Sequence, residues 1–266
     1  MVVSILGAGW LGKALISTLK DKEISVNAST RPYSGLSDLE VLGANAYQIN
    51  FTKENGLVAN DAFFDCDCLV ICMSQRKGSD NETLYLEALK AYLEMAIVNE
   101  VNKIVFTSSA GIYGKIEGVV DEDLKIAEMD NEDSVLQLLH AENLLLGLKN
   151  IDYYILRLAG LIGPGRQAGR FLAGKKNIPN PSAPVNMVEQ SDVVSIIDKF
   201  IENDFPIGIY NVCADEHPTR KEFYSRQALI SGLEEPKFLE KDDSSGRIVS
   251  NQKVKEVLGF QFRTLE

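Results

Sequence analysis

Val2 to Leu6, a short run rich in Val and Ile, passes directly into Gly7-Ala8-Gly9-Trp10-Leu11-Gly12, after which Lys13, Ala14, Leu15, Ile16 and Leu19 continue at helical spacing. A buried strand, a glycine turn and a helix in that order leave few folds open. Gly7 permits the tight turn, Gly9 leaves room for an anion to approach the backbone, and Gly12 lets the helix lie against the strand. The helix N-terminus then faces that anion with N–H groups that have no partner in the helix. The turn is expected to hold the pyrophosphate of a dinucleotide, with Gly7, Gly9, Trp10, Leu11 and Gly12 around it. A glycine-rich turn that binds nothing is the competing reading.

The end of the second strand discriminates between cofactors. Sites for NAD place Asp or Glu there, on the ribose hydroxyls. This chain reads Asn27-Ala28-Ser29-Thr30-Arg31, and its next acid is Asp38. Ser29, Thr30 and Arg31 suit a 2′-phosphate instead, Arg31 through its two-pronged guanidinium. The expected cofactor is NADP, with NAD as the alternative; Arg31 as a solvated loop residue is the plainer reading.

The same alternation continues along the chain. Apolar runs at Ile24–Ala28, Ala46–Ile49, Leu69–Met73, Lys103–Ser108, Tyr153–Leu158 and Gly208–Val212 are separated by stretches of helical period. This rhythm predicts a parallel sheet covered on both faces. Helices are expected over Glu82–Val101, opened by a Ser79-x-x-Glu82 box, over Asp133–Leu148, after Ser191, after a Thr219-x-x-Glu222 box, and from about Asn251 to Leu258, stopped by Gly259. Glycines and prolines gather between Gly163 and Pro184, the composition of a binding loop. Arg166, Arg170, Lys175 and Lys176 form a basic cluster there. They suit an anionic group on a small-molecule substrate as well as they suit solvent.

Composition excludes several classes. With 266 residues, 45% of them hydrophobic, the chain can bury a sizeable core. Its 27 Lys and Arg stand against 38 Asp and Glu, a net charge of −11, so phosphate neutralisation along a nucleic acid is not expected. No stretch approaches 18 apolar residues, and Met1 to Leu11 lacks the leading positive charge of a signal peptide. The expectation is a cytoplasmic protein with no membrane partner. Cys66, Cys68 and Cys72 fall at even separations in an apolar run, and with Cys213 they read as reduced core thiols with no metal.

Phe106-Thr107-Ser108-Ser109-Ala110-Gly111-Ile112-Tyr113-Gly114, after a buried strand, resembles the Ser-Ser-x-x-x-Tyr-Gly segment of extended short-chain dehydrogenases/reductases, the NAD-dependent epimerase/dehydratase family. Leu156 to Arg166, Val185-Asn186 through Asp192, Tyr210-Asn211-Val212 and Ser250-Asn251 with Leu258-Gly259-Phe260 match in order, so the resemblance covers nearly the whole chain. It assigns the catalytic Ser to Ser109. Counting back from Glu142, the family's Tyr-x-x-x-Lys pair falls on Ser134 and Leu138, so both members are missing. Tyr113, whose counterpart lies at the edge of the substrate pocket, is the first choice for a substitute acid–base group; His140 reads as a surface histidine. Arg247 matches a position that contacts a nucleotide diphosphate in some sugar-modifying relatives. The two long helices pair in relatives as a homodimer.

The reading is thus an α/β fold: a Rossmann-type doubly wound parallel sheet over residues 1–165, rejoined by about 188–214, with a small C-terminal substrate lobe from 166–187 and 215–266. The expected function is that of an NAD(P)-dependent epimerase/dehydratase- or reductase-like enzyme acting on a small polar, sugar-derived substrate, with Ser109 and Tyr113 catalytic and Arg166 and Arg170 on the substrate. The alternative is a non-catalytic NADP-binding sensor.

Overall fold

In this computed structural model the described residues are 1–73, 79–127, 132–240 and 246–265, with residues 79–83 described by their backbone alone. The chain opens with β1 (Val2–Leu6), α1 (Trp10–Asp21), β2 (Ser25–Thr30), α2 (Leu36–Val41) and β3 (Asn45–Gln48). A hairpin of β4 (Asn50–Thr52) and β5 (Gly56–Val58) leads to β6 (Cys68–Ile71), α3 (Ser79–Val98) and β7 (Lys103–Ser109). β8 (Gly118–Val120), α4 (Asp133–Leu146), β9 (Asp152–Leu158), β10 (Gly160–Ile162) and α5 (Gly169–Leu172) follow. The last part holds β11 (Met187–Glu189), α6 (Gln190–Glu202), β12 (Gly208–Val212), α7 (Arg220–Ile230), β13 (Arg247–Val249) and α8 (Gln252–Leu258).

A seven-stranded parallel sheet, ordered β12-β9-β7-β6-β1-β2-β3 and flanked by helices, gives the Rossmann-type α/β fold. The chain steps outward from β1 to β3, then returns to the other side of β1 for β6. Such a reversal opens a crevice past the carboxyl ends of the two strands, here at Gly7 and Cys72. Strands covered on both faces must be apolar throughout, and all four residues of β6 are buried.

Helix boundaries follow from local chemistry. α1 buries Leu11, Leu15, Ile16 and Leu19 on one stripe. α3 ends at Val98, three residues before the expected Val101, because Glu100 adopts φ 54° and the Val101 amide turns back to the Ala96 carbonyl. That closure returns Val101 to the core. The Thr219–Glu222 capping box forms as expected at α7, a cap worth about 1 kcal/mol. The Ser79–Glu82 box lies outside the described side chains.

The chain divides into two compact units. One comprises Met1–Ser108, Glu132–Leu156 and Val194–Ile209; the other comprises Ser109–Asn131, Arg157–Val193 and Tyr210–Glu266. Beyond the expected lobe of 166–187 and 215–266, the second unit also takes in 109–131, 157–165, 188–193 and 210–214. Past the ends of β7 and β9, the chain pairs within the second unit, β8 with β13 and β10 with β11. These pairings join distant segments of the chain. The first unit's core gathers Phe63, Phe64, Leu69, Leu89 and Phe106, the second's Ile162, Met187, Ala214 and Phe223.

The cysteines do not share one strand face. Only Cys68 lies in β6, while Cys66 and Cys72 flank it, since the strand is shorter than the apolar run suggested. Burial pushes the Cys72 and Cys213 thiols up to about 12, which leaves them protonated and unreactive at neutral pH.

Candidate functional site

At the end of β1, Gly7 takes φ 80°, a conformation open to glycine at little cost, and a Cβ there would stand 3.3 Å from the Cys72 carbonyl oxygen. A Cβ on Gly12 would lie 3.2 Å from Ile5 Cγ2, so this glycine sets how closely α1 rests on β1. Gly9 differs from both. Beyond a single backbone oxygen at 4.0 Å, the space in front of it is open. This is the cradle that a pyrophosphate needs at the N-terminus of α1. Next to it is a cleft of about 300 Å³, lined by Gly7 to Gly9, Ser29 to Pro32, Asn50, Phe51, Cys72, Met73 and the α3 residues Leu84, Tyr85, Ala88 and Tyr92. The glycine turn, the α1 terminus and this cleft fit a nicotinamide dinucleotide.

Ser29 has a structural task in addition to the expected one. It is 2% exposed, its Oγ accepts a hydrogen bond from the Gly7 amide at 3.0 Å, and its carbonyl accepts one from Ala8 at 2.8 Å. Ser29 thus moors the glycine turn to the end of β2, and its hydroxyl hydrogen is left over on the cleft lining. Thr30 is half-buried and packs against Gly35. Arg31 is exposed, and among the described residues lining the cleft it alone is charged. Asp38 bonds Lys13 Nζ at 2.7 Å, linking α2 to α1. Leu11 belongs to the buried stripe of α1, and neither it nor Trp10 lines the cleft.

The residues missed from the sequence are those beyond the ends of the other strands. Asn50 and Phe51 follow β3, and Cys72 and Met73 follow β6. The rule that ligands sit past the carboxyl ends of strands could have named them. The tyrosines of α3 carried no comparable signal, because a helical stripe reads first as core.

The Ser108 Oγ of β7 donates to Glu142 Oε1 on α4 at 2.6 Å, deep in the first unit. Leu138 is buried and Ser134 exposed, so no phenol or ammonium stands at the two positions where the resemblance expects them. His140 is exposed on the same helix.

Ser109 and Tyr113 open the second unit, bracketing one short 3-10 turn. Ser109 is half-buried, and its Oγ accepts from the Gly111 amide at 3.0 Å, a bond that leaves the hydroxyl hydrogen for another acceptor. Tyr113 is enclosed by its own unit and does not stand at an open edge. It is fully buried, its hydroxyl lies 2.8 Å from both the Asp121 carbonyl and Asn211 Oδ1, and Arg157 Nη1 donates to it at 3.0 Å. The Arg157 guanidinium also sits over the ring, 5.1 Å from its centre. Burial pushes the phenol up, with Arg157 opposing. A hydroxyl bonded on all sides by protein and closed to solvent ties these segments of the second unit together.

Arg166 and Arg170 are exposed on and just after a turn closed by the Arg166 amide on the Gly163 carbonyl at 2.9 Å. Arg247 turns inward and donates to the Gly114 carbonyl. His217 Nδ1 stands 3.3 Å from the Val185 carbonyl, and burial pulls its imidazole below the ordinary histidine range. Among the described residues, no group of three or more His, Cys, Asp or Glu could hold a metal ion, and no helix is long and apolar enough to cross a membrane.

Comparison with known proteins agrees with this geometry. Residues 7–204 match the family described as NAD(P)H-binding. Protein YeeZ of Escherichia coli K12 is 35% identical over 98% of this chain and 95% of its own length. The fold is similar to that of UDP-glucuronic acid 4-epimerase from Bacillus cereus in complex with NAD, at a TM-score of 0.81 and 18% identity over 100% of this chain and 93% of that one. It is also similar to the Bordetella bronchiseptica enzyme WbmG in complex with NAD, at 0.78 and 18% identity over 100% and 90%. The chain belongs to the NAD(P)H-binding family.

Proposed function

We propose that the protein is an NADP-preferring enzyme of the epimerase/dehydratase or reductase type. Its substrate is small and polar, of the sugar-derived class, with an anionic group held by Arg166 and Arg170. Ser109 orients the reacting oxygen through the hydroxyl hydrogen that its bond to Gly111 leaves over. The observation that carries the cofactor choice is Arg31, the single charged residue on a cleft with no acid among its described lining residues. A nicotinamide cofactor supplies hydride chemistry when bound; the chain supplies the cradle at Gly7 to Gly9, the α1 terminus and the Arg31 guanidinium. The protein works in the cytoplasm as a homodimer, a reading supported by exposed Ile97 and Val98 on α3 and Leu146 on α4.

The test is calorimetric titration with NADPH and NADH. Wild type binds NADPH more tightly, and Arg31→Ala narrows the gap by about 1–3 kcal/mol, the worth of charge-assisted bonds to a phosphate. Equal affinities that stay equal in the variant exclude the NADP assignment.

A second reading, a non-catalytic NADP sensor, is favoured by the buried Leu138 and the saturated Tyr113 hydroxyl. Single-turnover absorbance with sugars, keto acids and aldehydes separates the two. Cofactor oxidation that depends on Ser109 supports the enzyme, and tight binding with no oxidation supports the sensor.

A further inference from the structure

α3 contributes an unusual wall to the cleft. Tyr85, Ala88 and Tyr92 fall at spacings of three and four, one stripe of the helix, and all three line the cleft. The two tyrosines are 7% and 5% exposed, so each shows only an edge to a ligand. Seven residues separate them, about 10 Å along the axis.

Their neighbours differ in sign. Near Tyr92 lies the Arg31 guanidinium, which works against the upward push of burial on that phenol. Near Tyr85 lies the carboxylate of Glu142, which adds to the push of burial. Glu142 is 1% exposed and held by the Ser108 hydroxyl at 2.6 Å, so its position is set from inside the unit. A phenol beside a buried carboxylate keeps its proton and stays a hydrogen-bond donor. The cleft therefore has a cationic end at Arg31 and an anionic one behind Tyr85. A terminal phosphate belongs at the first and is repelled from the second.

We propose that α3 gauges the length of the dinucleotide with two phenols: Tyr92, beside Arg31, contacts the adenosine 2′-phosphate end, and Tyr85, beside Glu142, donates a hydrogen bond to the ligand beyond the pyrophosphate. This rests on the NADP reading of the cleft. It assigns two specificity-determining residues that the glycine turn and the end of β2 do not include.

The experiment uses two ligands of different reach, NADPH and adenosine 2′,5′-bisphosphate, the second of which ends before the pyrophosphate is complete. Affinities are measured by calorimetry for wild type, Tyr85→Phe and Tyr92→Phe. Tyr92→Phe is expected to weaken both ligands by similar factors, about 3- to 10-fold for one lost hydrogen bond. Tyr85→Phe is expected to weaken NADPH by about that factor and leave the bisphosphate unchanged. The ratio of the two affinities within one variant is independent of the folded fraction, so partial unfolding cannot imitate the result. If Tyr85→Phe shifts both ligands equally, or neither, the gauge is wrong while the dinucleotide site stands. If wild type binds neither ligand, the NADP reading falls and the gauge falls with it.

Discussion

The hydroxyl of Ser29, at the end of β2, accepts a hydrogen bond from the Gly7 amide at 3.0 Å, and the Ser29 carbonyl accepts one from Ala8 at 2.8 Å. One residue thereby fixes the first two amides of the turn that faces the cofactor cleft. Ser29→Ala removes the side-chain bond from the half-buried Gly7 N–H, a loss of about 0.5–1.5 kcal/mol in folding stability. Because the turn serves both cofactors, NADH and NADPH should weaken by the same factor. Denaturant titration and calorimetry check both statements; a loss confined to NADPH would return Ser29 to the role of a phosphate ligand.

Gly9 and Gly12 separate binding from folding. Gly9→Ala meets open space and an ordinary φ of −81°, so its melting temperature without ligand should match wild type while dinucleotide affinity drops sharply. Gly12→Ala forces Ile5 or Ala8 to move from contacts of 3.2 and 3.4 Å. Overpacking of this kind costs about 1–3 kcal/mol. Thermal melts with and without NADPH distinguish the two, and a Gly9→Ala that melts early with unchanged affinity contradicts the cradle.

Tyr113→Phe should act on stability. The substitution keeps the ring under the Arg157 guanidinium but strips a partner from Arg157 and from Asn211, both buried. The expected cost is about 1–3 kcal/mol, read from the urea midpoint. Dinucleotide affinity should not change. Activity lost without any loss of stability would instead make Tyr113 a catalytic group.

His217 should make stability depend on pH. A carbonyl acceptor requires the proton on Nδ1, and burial holds the folded imidazole below its unfolded value of 6.5. The unfolded chain therefore takes up a proton first as pH falls, and stability declines from about pH 7 downward until the folded imidazole also protonates. His217→Gln removes this contribution. Urea midpoints at pH 7.5 and 5.5 for both proteins isolate it from the carboxylates, and an equal drop in both proteins would rule it out.

Much of this architecture was legible in the order of residues. The passage from Val2–Leu6 through Gly7, Gly9 and Gly12 into an amphipathic helix specifies strand, turn and helix by local geometry alone, and the alternation of apolar runs with helical stretches dictates a parallel sheet. The Thr219–Glu222 cap was legible for the same reason, since its bonds span three residues. Tertiary structure alone decided what each polar side chain does. Ser29, Thr30 and Arg31 are neighbours in sequence and one cluster by composition, yet the fold buries the first against Gly7 and leaves the third exposed on the cleft. Tyr113 meets Arg157 and Asn211 across 44 and 98 residues, and Tyr85 meets the cleft on a stripe that by period alone is core. Hydrogen-bond saturation and burial depend on contacts between distant segments, and no local pattern carries them.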